Sequence, residues 1–224
     1  MSSAPQQALG VLTPTPSMIA PVQESIAGMI QELIDGLPRP ERLSNDERRG
    51  IIARYTAVLE GNFIYWMTAT YLAASSGEAH AIIEDNLREE VRDNHPGMLR
   101  KFAVTAQAYP RDVDGHAVSR PLQNVRLFVG RLSSVKLVAM MAFFEGFIMN
   151  FMPYLADLAV QQGSTELEYT DVHGVVDVGH TQGLFRALEA ELAQLPEPRP
   201  TTTQMLEGAE ILRALIHTTV HARS

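Results

Sequence analysis

The chain contains no cysteine in 224 residues. That absence removes disulfides, thiolate metal sites and cysteine nucleophiles together, and it fits a reducing compartment. Positive charge is also scarce: 18 Lys and Arg stand against 26 Asp and Glu, for a net charge of −8. Without a basic stripe, nucleic acid is not an expected partner. No apolar run approaches a membrane span, since the longest, "LVAMMAFF", ends at Glu145. The N-terminal "MSSAPQQALGVLTPTPS" has neither a basic leader nor a long apolar run, so it does not read as a secretory signal. The expectation is a disordered tail over residues 1–16, then a single domain over 17–224, in the cytoplasm and without a membrane partner. No strand pair and no internal repeat is evident.

Helical periodicity fills the rest. "MIAPVQESIAGMIQELIDG" predicts a helix that stops at Gly36, and Ser44 or Asn45 can cap the next. That second helix runs to about Ser76 with a kink near Gly61. "EAHAIIEDNLREEVRD" follows, and Pro96 suits the first turn of the helix after it. "PRDVDGHAVSRP" reads as a loop by its proline, glycine and aspartate content. "VKLVAMMAFFEGFIMNFMPYLADLAVQQ" is apolar on every side, which places it at the centre of a bundle. A capping box at Ser164 or Thr165 is expected to open the next helix, and "TTTQMLEGAEILRALIHTTVHA" forms the last. The fold class predicted is an all-α, single-domain bundle of seven to nine helices.

Three places carry chemistry. "DVHGVVDVGH" sets His173, Asp177 and His180 at i, i+4 and i+7, one face of a helix with about 3.6 residues per turn. Three metal-binding groups then point the same way. Gly174 and Gly179 lie inside that helix at about 1 kcal/mol each relative to alanine, and room for another backbone, a substrate or dioxygen would explain them. Glu145 is the only charge between Leu137 and Leu155, and a buried carboxylate is protonated, paired or metal-bound. In "NLREEVRDNHPGML", Glu90 and His95 are five residues apart. A helix break before Pro96 lets them converge. His217 and His221 are a further i, i+4 pair, close to the chain's C-terminus.

Glu90, His95, Glu145, His173, Asp177 and His180 together resemble the ligand set of the haem-oxygenase-like di-iron oxidases and oxygenases, over residues 45–195. The resemblance implies a seven-helix haem-oxygenase-like fold, two non-haem Fe(II) ions as cofactor and dioxygen as co-substrate. It implies oxidation of a small organic substrate, an amine or amino acid first and a fatty acid second, with an external reductant and a homodimer as further expectations. The glutamate–histidine spacing is short for that family, so Glu89 competes with Glu90 as ligand. The absent cysteine excludes the thiaminase-type relatives. No lysine follows Glu145 in its helix, which argues against the para-aminobenzoate-forming branch, and no Glu-x-x-His occurs anywhere, which argues against a ferritin-like site. A mixed N/O donor set without sulfur suits iron.

Substrate contacts are expected from Phe144, Phe147 and Gly174, because Phe143, Phe144, Phe147 and Phe151 cannot all share one core stripe. A cofactor-free oxidase of the same fold and a non-enzymatic helical metal-binding or interaction protein are the alternatives.

Overall fold

The computed structural model describes residues 18–222 and the side chains of all of these but 175–178. The expected tail therefore lies outside the described residues, as does the side chain of Asp177. Ten α-helices and no strand occur among the described residues, so the chain is an all-α helical bundle: α1 (Ala20–Asp35), α2 (Asn45–Leu59), α3 (Asn62–Ala73), α4 (Gly77–Arg92), α5 (His95–Thr105), α6 (Asp112–Val129), α7 (Ser134–Gln161), α8 (Glu168–Gln194), α9 (Thr202–Met205) and α10 (Glu207–His221).

α7 is the axis. Its residues from Leu137 to Phe147 are all buried, Glu145 among them. α8 packs along it most extensively, and α1, α2, α3 and α10 surround the rest. This answers the phenylalanine question differently from the sequence: Phe143, Phe144, Phe147 and Phe151 are all core, because α7 is enclosed on every side rather than along one stripe. The expectation that no apolar run approaches a membrane span is corrected by α7. At 28 residues, with a mean hydropathy of 1.5 in its best window, it has the length and composition of a membrane span, and 83% of that window is buried inside the bundle.

The local signals are specific. Ser44 caps α2: its Oγ accepts the Glu47 amide at 3.3 Å, and Glu47 Oε2 accepts the Ser44 amide at 2.8 Å. The kink expected near Gly61 is a full break between α2 and α3. Gly61 has φ +79°, a left-handed conformation that glycine adopts without strain. The last helix is likewise two, with Thr201 and Gln204 forming a capping box for α9.

Two expectations are corrected. The segment predicted as a loop is helical from Asp112, and the helix runs on through Pro121. Asp114 accepts the Arg111 amide at 2.9 Å, closing the first turn. Val118, Leu122, Val125 and Phe128 then bury a helical face against α10 and α2, which outweighs the proline. Asp114 is also held by Arg49, with Nη2–Oδ1 at 2.8 Å and Nη1–Oδ2 at 3.0 Å, both partners being buried. The second correction concerns Ser164. It does not cap α8, which begins three residues after Thr165. Its Oγ instead accepts the Glu166 amide at 3.2 Å in a turn.

One clamp sets the register of α4 on α8. The buried carboxylate of Glu191, near the end of α8, accepts the amides of Ser75 at 2.8 Å and Ser76 at 2.7 Å and the Ser75 hydroxyl at 2.8 Å. A negative charge at the N-terminus of α4 is favoured by the helix dipole. With that end fixed, the other end of α4 brings Glu89 and Glu90 against the histidines of α8.

Candidate metal centre

The α4–α5 corner makes the first half of the site. α4 ends at Arg92, Asn94 takes a left-handed conformation (φ 55°), and α5 starts at His95 with Pro96 in its first turn. The two side chains thus converge, with His95 Nδ1 2.7 Å from Glu90 Oε1. His173 joins them from α8, its ring centroid 4.5 Å from that of His95. One donor atom each from Glu90, His95 and His173 lies within 4.8 Å of the others, and all three residues are buried. Opposite ligands on bonds of about 2.1 Å lie about 4.2 Å apart, so the trio has roughly the spacing of a metal site.

The Nδ1 of His173 is 2.7 Å from the Tyr169 carbonyl, one turn back on α8, so Nδ1–H donates there and Nε2 is the nitrogen that could meet an ion. Burial first, and the neighbouring His95 with it, pushes the imidazole down to about 4, which keeps it neutral.

The second half joins α7 to α8. His180 lies between two carboxylates, with Nε2 2.7 Å from Glu89 Oε2 and Nδ1 3.9 Å from Glu145 Oε2. Burial alone would lower its pKa, but Glu145 and Glu89 outweigh burial and raise it to about 9. Glu145 is 2% exposed, and its Oε1 has no hydrogen-bond partner among the described residues. Burial pushes its carboxyl upward, only partly offset by His180. A buried carboxylate oxygen without a donor is costly and is the kind of atom a cation satisfies.

A cavity with about 410 Å³ of empty space, part of it open to solvent, meets Glu90, His95, Glu145 and His173. Leu59, Phe63, Leu99 and Ile148 supply its apolar wall, and Gly61 lies at the α2–α3 break on its rim. Tyr169 lines it too. Its hydroxyl is 2.9 Å from that of Tyr55, and its ring lies 4.3 Å from His173. Tyr169 was not singled out from sequence, although its place four residues before His173 puts it on the same helix face.

Five of the six expected ligands, Glu90, His95, Glu145, His173 and His180, therefore meet in the interior. Asp177 sits on α8 between its two histidines, with its side chain outside the described residues. Glu89 and Glu90 both take part, at different histidines. Phe144 and Phe147 do not line this cavity. They line a neighbouring, almost wholly apolar one with Phe151 and Leu215, and only Leu59 borders both. A Cβ at Gly174 or Gly179 would meet nothing within 4 Å, so no neighbouring backbone requires either glycine. His217 and His221 stack at 4.4 Å on α10, in a groove against α1, and no third ligand joins them among the described residues.

The charges predict the pH dependence of the metal-free protein. His180 and His95 are raised, so the stability they contribute is full below the ordinary 6.5 and is lost as pH rises, for His180 through about 9. His173 is lowered, so its contribution is full above 6.5 and is lost as pH falls toward about 4. Thermal melts of chelator-treated protein should peak near neutrality. The alkaline loss from His180 should be on the order of 3 kcal/mol by pH 9.5. A flat profile between pH 6.5 and 9.5 would contradict the pairing of His180 with its two carboxylates.

Comparison with protein-family models, curated proteins and solved structures gives no match to this chain. The functional reading therefore rests on the residues themselves.

Proposed function

We propose that this protein is an O2-dependent, non-haem di-iron oxidase or oxygenase acting on a small organic substrate, an amine or amino acid before a fatty acid. The observation that carries the proposal is the buried set of two carboxylates, Glu90 and Glu145, and three histidines, His95, His173 and His180, with Glu89 half-buried beside it, spread over α4, α5, α7 and α8. Mixed N/O donors without sulfur fit iron, and the orphaned Oε1 of Glu145 fits a cation at that position. Glu90, His95 and His173 would hold one ion, and Glu145 and His180, with Asp177 from the sequence pattern, the other. When bound, two Fe(II) ions supply electrons for the reduction of dioxygen.

The chain's own residues do the rest. The Tyr169 carbonyl fixes the His173 ring, and Leu59, Phe63, Leu99 and Ile148 give the cavity an apolar wall. The cavity lining includes no lysine or arginine.

A second reading has its own observation. Two histidines and one carboxylate are the only ion-sized trio among the described residues, and that set suits a single Fe(II). Oxygen uptake by the Fe(II)-loaded protein, measured across a panel of amines, amino acids and fatty acids, tests the proposed activity. Uptake stimulated by an amine or amino acid is expected. Iron-loaded protein that consumes no dioxygen with any member would overturn it.

A further inference from the structure

We propose that Glu89 is the positioning residue of His180 and not an alternative metal ligand to Glu90. This rests on the metal-centre reading above and divides two adjacent carboxylates between two roles. Successive residues on a helix point about 100° apart, so Glu89 and Glu90 cannot face one ion from α4 together. Glu90 is 5% exposed and contributes a donor atom to the trio with His95 and His173. Glu89 contributes none. Its side chain is 35% exposed at the rim, and its Oε2 is 2.7 Å from His180 Nε2.

The other ring nitrogen of His180, Nδ1, is the one turned toward the interior and Glu145. A histidine that ligates through one nitrogen and donates its other N–H to a carboxylate has its ring orientation and tautomer fixed. Glu89 thereby selects Nδ1 as the coordinating atom of His180. The Glu191 clamp ties the opposite, N-terminal end of α4 to α8.

The test compares Glu89→Ala, Glu89→Gln and Glu90→Ala by anaerobic Fe(II) titration. A positioning carboxylate predicts that Glu89→Ala keeps the wild-type number of ions and binds one of them about 10- to 100-fold more weakly. Glu89→Gln, whose amide oxygen can still accept the Nε2–H, should recover most of that loss, whereas Glu90→Ala should lose an ion outright. A Glu89→Ala protein that loses an ion, or one that binds as the wild type does, overturns the proposal.

A second measurement is independent of iron. Long-range 1H–15N spectra of the metal-free protein above pH 9 should show His180 with its proton on Nε2, and Glu89→Ala should shift the population toward Nδ1–H. A tautomer unchanged by that substitution overturns the positioning role. A wild-type protein that binds no iron but shows the shift would overturn the metal reading alone and leave the Glu89–His180 pairing in place.

Discussion

His173→Ala should lose one bound iron while retaining the fold. The imidazole is the third member of the only trio with ion-sized spacing among the described residues, and its removal leaves Glu90 and His95 alone. Its Nδ1–H bond to the Tyr169 carbonyl fixes Nε2 as the coordinating atom, so a water cannot reproduce its placement. The loss in affinity should be at least about 100-fold, beyond what changes in outer partners of a ligand cost. His180→Ala and Asp177→Ala should also lose iron. His217→Ala and His221→Ala should not, because that pair lies in the α1–α10 groove without a third ligand among the described residues. Iron content after dialysis, with circular dichroism as the control for folding, reads all five. Equal retention across them would remove His173, Asp177 and His180 from the site.

The largest loss of stability should come from Asp114→Ala. Asp114 is 1% exposed, receives two hydrogen bonds from the buried Arg49 guanidinium and closes the first turn of α6. Truncation strands a buried cation, which costs about 3–5 kcal/mol, and removes an N-terminal cap worth about 1 kcal/mol. For a chain of this size that is a fall in Tm of roughly 10 °C or more. Replacing both partners with apolar residues of similar volume should recover much of the loss.

The acid dependence has a definite sign. Burial would raise the Asp114 carboxyl, but Arg49 and the Arg111 amide outweigh it and hold it below its ordinary 3.8. Its contribution is therefore full above pH 3.8 and is lost as pH falls below that value. Chemical denaturation of the variants at pH 7 and at pH 3 checks both statements. A variant within 1 kcal/mol of wild type at pH 7 would mean that the ion pair does not hold α6 to α2.

These two sites differ in how legible they were. The candidate metal centre was legible in part because helical spacing is a strong constraint: His173 and His180 share a face, and the break before Pro96 lets His95 turn back toward Glu90. The all-α class followed from the same periodicity. The Arg49–Asp114 pair was hidden, since the partners are 65 positions apart and only packing brings them together. Asp114 sat in a stretch whose proline and glycine suggested a loop, although the face from Val118 to Phe128 was helical. Tyr169 was one turn from His173 and could have been found. Phe144 and Phe147 could not be assigned to a cavity, because every face of α7 is buried and sequence carries no record of which face meets which space. Glu89 and Glu90 were treated as rivals for one position, and only the approach of α8 shows that two histidines stand opposite them.

The most direct measurement is the number of Fe(II) ions bound per chain by metal-free protein under nitrogen. Two per chain, falling to one in His173→Ala, is the predicted result. A chain that binds no Fe(II) would contradict the metal-centre account, and the buried Glu145 and the His173–His180 face would then need a purely structural explanation.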